Sequence, residues 1–515
     1  MTFIVLIIVA VAAAGYLYVV GLGTFSEHRE RGDKGRALPP ASGETIIDQM
    51  IGPMVAERPG QTGLCLLADN LAAFNARLET IEKAGRSLDL QYYYWKADIT
   101  GQILCRALIA AADRGVRVRL LLDDINTMGF DSSYLALDSH PLIEVRLFNP
   151  SRSRTSPIRR GLELALKYLT STRRMHNKCW IADNRIAIIG GRNIGDPYFN
   201  ASNAANFQDI DLLATGAAVA DAEAIFDRYW NSDAALPIRS LHRIRKPQLA
   251  RLIGRLDDAA RSEQARTYLD TSAALAEDEN LETWLRNTNW VADATVAADP
   301  PEKAKGLHLD QWLVHRIEAL LRGARSSIQI TSPYFIPGST GTELFEQMRV
   351  NGVSVEILTN SLAATDVIAV HGAYSRYRKV LVASGVSIHE LKPNPSQSRA
   401  SVFGSRTASL HTKSMVIDGN TGFVGSFNLD PRSASINTEM GIVFTDAGLA
   451  SQLAEVFQRF ISPPCSYDLL MEKNQLVWST VEQDADVRFH SEPLASRSRA
   501  ILAWLIRLLP IESQL

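Results

Sequence analysis

The sequence predicts a duplicated α/β protein: two α/β/α sandwich domains about a pseudo-twofold axis, with the active site between them. Three observations carry this. The chain has 515 residues, too many for one ordinary core. Stretches that read as strands alternate with helical text twice over, in the same order. Finally, MHNKCWIADNRIAIIGGRNIGD (175–196) returns as LHTKSMVIDGNTGFVGSFNLD (410–430) at one spacing, since 411−176, 413−178, 418−183, 425−190 and 428−193 all equal 235.

The elements follow in chain order. Residues 1–25 carry no charged side chain and are long enough to cross a roughly 30 Å hydrocarbon layer as a helix. They read as an anchor or a signal segment, and the absence of a basic start favours an uncleaved anchor. Arg29, Arg31, Lys34 and Arg36 come next, which assigns that flank to the cytoplasmic side. In the first domain, 44–240, SLDLQYYYW (87–95), RGVRVRLLLDD (114–124) and IEVRLFNP (143–150) read as strands. Their counterparts in the second domain, 306–480, are SIQITSPYF (327–335), NGVSVEILTNS (351–361) and VSIHELKP (386–393). Between the strands, GQILCRALIAAADRG (101–115) and GTELFEQMRVNG (341–352) carry apolar residues at helical spacing and stop at glycine.

Residues 241–305 break the repeat and read as a connector ending in ADPPEKAKG. The tail, 490–515, mixes Arg497, Arg499 and Arg507 with Ile501, Leu502, Trp504, Leu505, Leu508 and Leu509. It reads as amphipathic, either a basic helix lying on a membrane or a surface helix packed on its domain.

Composition limits the partners. Hydrophobic residues make up 46% of the chain and charged residues 21%, a globular balance with a formal net charge of −2. That charge argues against nucleic-acid coating, so an anionic partner must be met locally. Cys65, Cys105, Cys179 and Cys465 lie far apart, a spacing that suggests neither a zinc site nor a disulfide framework.

A lone His-x-Lys in a strand is an ordinary solvated edge or a core histidine. Two copies at constant offset are not ordinary. The two HxKxxxxD motifs, each followed by GG or GS and an asparagine, resemble the phospholipase D superfamily. QYYYW, RRMHNK, GGRNIGDPYF, TNSLAATDVIAVHGAYSRYR, HELKP and GSFNLDPRS with NTEMG resemble more narrowly the bacterial cardiolipin synthases of the C type, from about Gly63 to the end.

Cleaving a phosphodiester requires a nucleophile, neutralisation of the phosphate oxygens and an acid for the leaving alkoxide. Two His/Lys/Asn sets supply all three. The resemblance implies His176 as nucleophile and His411 as general acid/base, although the symmetry of the motifs leaves the swap open. Lys178, Lys413, Asn193 and Asn428 are expected to hold phosphate oxygens. Ser426 joins that substrate-binding set and, with Gly190 and Gly191, allows close backbone approach. By resemblance, Asp209 and Glu439 stand behind the histidines. Asp183 and Asp418 complete the catalytic signature, by direct chemistry or by tethering strand ends.

The resemblance further implies a cardiolipin synthase that moves a phosphatidyl group from phosphatidylethanolamine or phosphatidylglycerol to phosphatidylglycerol through a phosphohistidine. It implies no metal and no cofactor. Phospholipids and a membrane are the expected partners, not nucleic acid. The expected location is the bacterial inner membrane, with the catalytic part on the cytoplasmic side. The basic run 152–174 is expected to meet anionic headgroups. Tyr93, Tyr94 and Trp95 read as strand aromatics or as the lining of a lipid slot. His371 and Tyr374 resemble positions near the headgroup pocket. Three alternatives remain open: capture of the intermediate by water, which makes a phospholipase D; a nuclease of the superfamily, disfavoured by the apolar N-terminal segment and the near-neutral charge; and a membrane scaffold without turnover.

Overall fold

The computed structural model describes residues 30–127, 129–151, 173–241, 248–307, 310–395, 401–405 and 407–515. The N-terminal segment expected as an anchor lies outside the described residues, as does the basic run from 152 to 172. No described helix is long and apolar enough to cross a membrane.

Among the described residues the first sheet contains β1 (Thr62–Leu67), β2 (Ser87–Tyr92), β3 (Arg117–Asp123), β4 (Ile143–Phe148), β5 (Cys179–Ala182), β6 (Ile186–Gly190), β8 (Asp211–Gly216), β9 (Ala235–Pro237) and β10 (Asn289–Val291), with β7 (Asn206–Gln208) set apart. Its order is β10-β1-β8-β6-β5-β2-β3-β4-β9. The second sheet contains β11 (Ala294–Ala298), β12 (Ser327–Thr331), β13 (Ser354–Asn360), β14 (Ser387–Leu391), β16 (Ser414–Ile417), β17 (Thr421–Gly425), β18 (Met440–Thr445), β19 (Ser466–Glu472), β20 (Gln475–Glu482) and β21 (Ala485–Phe489), with β15 (Ala408–Leu410) set apart. Its order is β11-β18-β17-β16-β12-β13-β14-β19-β20-β21. The run β8-β6-β5-β2-β3-β4 repeats as β18-β17-β16-β12-β13-β14, with β2, β3, β4 and β12, β13, β14 parallel and the others antiparallel.

All six residues of β2, SLDLQY, are buried. Helices cover both faces of a parallel sheet, so the polar positions must be paired inside. Asp89 receives a bidentate bond from Arg119 at 2.6 and 2.8 Å. At the equivalent place in the second sheet, Gln329 donates to Glu356 at 2.9 Å.

Each sheet has its own outer core. A third core joins the halves: helices Ala217–Trp230 and Ala447–Ile461 contribute to it together with Leu212, Ala214, Val424 and Phe444. The first of these helices also packs on β11, and the second reaches β1.

Residues 241–305 do more than connect. Helices Leu249–Ala260 and Glu263–Ala276 pack on the outer helices Asn70–Lys83 and Ile99–Asp113 of the first half. Strand β10 then extends the first sheet beside β1, and β11 extends the second beside β18. The stretch breaks the repeat because it is shared between both halves. The second sheet also continues past the expected end at 480, to Phe489 in β21. Beyond it, helix Arg497–Arg507 packs on helix Ile368–Tyr374.

Candidate active site

Two short pairings across the halves build the centre. Strand β15 runs parallel to β7, placing Leu410 opposite Gln208, and Met175 forms a parallel bridge with Thr438. Each pairing ends one residue before a histidine on one chain segment and a carboxylate on the other. The backbone N–H of His176 donates to Thr438 O at 2.9 Å, and that of His411 donates to Gln208 O at 2.8 Å. Each half therefore delivers its histidine to the acid of the other half.

The side chains complete that exchange. His176 Nδ1 stands 2.8 Å from Glu439 Oε2, and His411 Nδ1 stands 2.6 Å from Asp209 Oδ2. A carboxylate on Nδ1 fixes the tautomer and leaves Nε2 as the reactive atom. Lys178 Nζ donates to His176 O at 2.6 Å, and Lys413 Nζ donates to His411 O. Both lysines are buried, with Lys178 over the Tyr93 ring and Lys413 over Tyr334.

Burial and mutual repulsion set the electrostatics. Desolvation, joined by Lys413, holds the Lys178 ammonium well below its ordinary range, while burial brings Lys413 down to about 8. Two buried cations of weakened charge are relieved by an anion, which suits a phosphodiester. Burial pulls His176 down to about 4 despite Glu439, and pulls His411 well below its ordinary value with help from Lys413 and Lys178. Both imidazoles are thus neutral at neutral pH.

The carboxylates differ. Burial pushes Asp209 up to about 6. Burial also pushes Glu439 upward, but His176, Lys178 and Ser426 outweigh it and hold the carboxyl below its ordinary value. Ser426 Oγ donates to Glu439 Oε2 at 2.5 Å, and Ser433 Oγ donates to Oε1 at 3.0 Å. Gly191 follows Gly190 as Ser426 follows Gly425, so it takes the place of Ser426 in the first half; a Cβ there would lie 2.2 Å from Asp209 Oδ1.

Ser426 was expected among the substrate-binding residues. The structure instead places it fully buried behind Glu439. Asn193 and Asn428 are buried at the centre. Asn193 Nδ2 donates to Tyr198 Oη at 3.0 Å, and Asn428 Oδ1 has no hydrogen-bond partner among the described residues.

Asp183 and Asp418, expected in the catalytic signature, sit at the far ends of β5 and β16. Five residues of extended chain separate Asp183 from Lys178, roughly 16 Å. Asp183 accepts from the backbone N–H groups of Gly85, Arg86 and Ser87 at 2.8 to 2.9 Å. Asp418 accepts likewise from Arg325, Ser326 and Ser327. Both hold left-handed backbone, with φ of +50° and +51°, a strain the three captured amides offset. They tether strand ends.

Of the basic run, Arg174 is buried beside Asp123, and Arg173 donates to Lys303 O and Ser435 O. These contacts lie within the protein. Tyr93 packs edge-on against His176 with ring centroids 5.2 Å apart, whereas Trp95 is in the core. His371 and Tyr374 lie in a buried network, with His371 Nε2 3.3 Å from Glu492 and Tyr374 Oη donating to Glu390 at 3.0 Å.

Two supports were missed in the sequence. Tyr198 Oη is 3.5 Å from His411 Nε2, and burial keeps it protonated. Asp299 accepts the Glu439 N–H at 2.9 Å while paired with the buried Lys303 at 2.8 Å. Tyr198 and Ser433 stand in the repeated Asp-Pro tracts DPYF and DPRS, a usable signal. Asp299 and Lys303 lie four apart in ADPPEKAKG, where a buried ion pair was readable only as turn text.

Facing His/Lys/Asn sets, carried on two sheets of matching strand order, define a phosphodiester site of the phospholipase D type. The chain belongs to the family described as cardiolipin synthase, PLD-like domain, whose model matches residues 78–230 and 317–461. It is 38% identical to cardiolipin synthase C of Escherichia coli (strain K12) over 89% of this chain and 98% of that one. It is 27% identical to cardiolipin synthase A of Pectobacterium carotovorum over 79% of this chain and 70% of that one. Among solved structures, phosphatidylserine synthase of Haemophilus influenzae Rd KW20 shares the fold, with a TM-score of 0.53 and 15% identity over 79% of this chain and 89% of that one.

Proposed function

We propose that this enzyme is a phosphatidyltransferase that makes cardiolipin, joining a phosphatidyl group from one phospholipid to a glycerol hydroxyl of phosphatidylglycerol. The observation that carries the reading is the crossed pair of histidines, each oriented by a carboxylate of the opposite half. His176 Nε2 attacks the donor phosphorus, the P–O bond to the headgroup breaks, and the proton on His411 Nε2 goes to the departing alkoxide. The acceptor hydroxyl then gives its proton to His411, attacks the phosphorus and releases His176. Lys178, Lys413, Asn193 and Asn428 hold the phosphoryl oxygens throughout.

The donor diester supplies the charge that readies the acid. Its anion offsets the two buried lysines, so that His411 takes up a proton from water at Nε2 as the lipid binds. The neighbouring Asp209 keeps the other imidazole proton, on Nδ1, and steadies the cation. His176, backed by the ionised Glu439, suits the nucleophile because the phosphohistidine leaves its imidazole cationic.

Phosphatidylethanolamine is the favoured donor, on the family resemblance and on Asp366. This exposed carboxylate accepts from Tyr334 Oη at 2.8 Å and acts electrostatically on Lys413 and Tyr94. A carboxylate flanked by aromatic rings is suited to a headgroup ammonium. The enzyme acts at the bacterial inner membrane from its cytoplasmic side.

The test is mass spectrometry of lipids after incubation with labelled phosphatidylethanolamine and phosphatidylglycerol, beside His176→Ala and His411→Ala. Labelled cardiolipin lost in both variants is expected. Phosphatidic acid alone would make the enzyme a hydrolase, and no histidine-dependent product would end the reading.

A further inference from the structure

The C-terminal helix presents an outer face that no other described residues cover. Ile501, Leu502, Trp504, Leu505, Leu508 and Leu509 are 45 to 63% exposed. Leu494, just before the helix, is 71% exposed on left-handed backbone with φ of +56°. A leucine held outward on strained backbone gains nothing in water. The inner face is firmly docked: Ala503 packs so closely on Gly372 that a Cβ there would lie 2.7 Å from the Ala503 carbonyl.

The charge of this stretch points to its occupant. Between Glu492 and Glu512 there are three arginines and no acid. Arg499 turns inward and donates to Leu362 O and Thr365 O. Arg497 and Arg507 are exposed at the two ends of the apolar face. Aliphatic residues around one tryptophan, flanked by arginines, match the interface of an anionic bilayer.

The face is also tied to the catalytic centre. Arg376 donates to the Arg507 and Leu509 carbonyls and pairs with Glu512. Arg432, next to the Ser433 that supports Glu439, donates its backbone N–H to Leu515 O at 2.9 Å. Leu515 packs against the cluster of Ile336, Val370 and Ala373, and Ile336 also lines an apolar cavity of about 240 Å³ whose wall includes Phe427 and Leu429, on either side of Asn428.

We propose that residues 494–511 form a docking surface for an anionic lipid bilayer that seats the cleft against its substrates; this rests on the phospholipid reading above. The test uses the full chain in phosphatidylglycerol-containing vesicles with bromine-labelled acyl chains, comparing wild type with Trp504→Phe. The bromine-quenched part of the tryptophan emission is expected to vanish in the variant. Equal quenching in both would overturn the proposal, as would a Trp504 unquenched by lipid but shielded by a protein. A second arm compares Leu505→Ser/Leu508→Ser with wild type. Turnover of bilayer lipid should fall about tenfold, while turnover of monomeric short-chain phospholipid stays the same. A loss on both substrates would overturn the docking role. Failure of wild type on both would instead remove the assigned activity, and the quenching would still decide the docking.

Discussion

The two half-sites share their strands, lysines and asparagines but differ behind the histidine. Behind His176 stands a glutamate that receives two serine hydroxyls, from Ser426 and Ser433. Behind His411 stands an aspartate pressed against Gly191, with no serine in the place of Ser426. His176 and Lys178, joined by the Ser426 hydroxyl, hold Glu439 below its ordinary carboxyl range, while burial lifts Asp209 to about 6. A duplicated motif thus acquires two roles through its supports: an ionised partner stabilises a cationic phosphohistidine, and a partner that keeps the Nδ1 proton suits an acid that must be reloaded.

The most severe way to break this comparison is to remove each histidine and look for the covalent adduct. Both His176→Ala and His411→Ala should lose turnover by about 10³-fold or more. After acid-free denaturing quench with radiolabelled donor, only His411→Ala should retain labelled protein. Label retained in His176→Ala instead would exchange the two roles.

Exchanging the supports comes next. A serine at Gly191 has no room beside Asp209, so Gly191→Ser should lower kcat by about 10²-fold, whereas Ser426→Gly should cost about tenfold by losing one bond to a charged group. Steady-state kinetics at saturating lipid would read both.

A pH profile sharpens the comparison further. Lys413 is charged below about 8 and neutral above it. The charge that holds the phosphate is therefore present at neutral pH and lost as pH rises, so kcat/KM should fall roughly tenfold per unit well above that value. Lys413→Arg, which stays charged, should remove its share of this alkaline limb and leave the part set by Lys178. On the acid side His176, lowered to about 4, remains a neutral nucleophile at mildly acidic pH.

Smaller effects are expected at the edges. Asp366→Asn should raise KM for phosphatidylethanolamine by about five- to tenfold and leave that for phosphatidylglycerol nearly unchanged. Asp418→Asn should cost about 1–3 kcal/mol of stability in denaturant unfolding, with kcat of the folded enzyme unaffected. A kcat loss without destabilisation would return Asp418 to the chemistry.

Much of the site was legible because repetition carried it. His176, Lys178, Asn193 and their partners recur at one offset, and only a shared structural role preserves such spacing. The strands were legible for the same reason, whereas the pairing of their buried polar groups, such as Asp89 with Arg119, was not. Ser426 was misread because GS and GG look alike as close-approach signals, and only the position of Glu439 reveals a hydrogen bond. The stretch around Asp299 was opaque because its partners, Lys303 and the Glu439 amide, involve an ion pair within turn text and a backbone group 140 residues away.

The sequence by itself determined the duplication, the residue types of the centre and the amphipathic tail, since periodicity and spacing are properties of one dimension. Tertiary structure alone decided that each histidine answers to the carboxylate of the other half, that Asp183 and Asp418 serve strand ends, and that the tail grips the short helix Pro431–Ser435, whose Ser433 supports Glu439. Those outcomes depend on which distant backbone groups come within about 3 Å of a side chain, and the crossing of two parallel pairings between the halves fixes that distance.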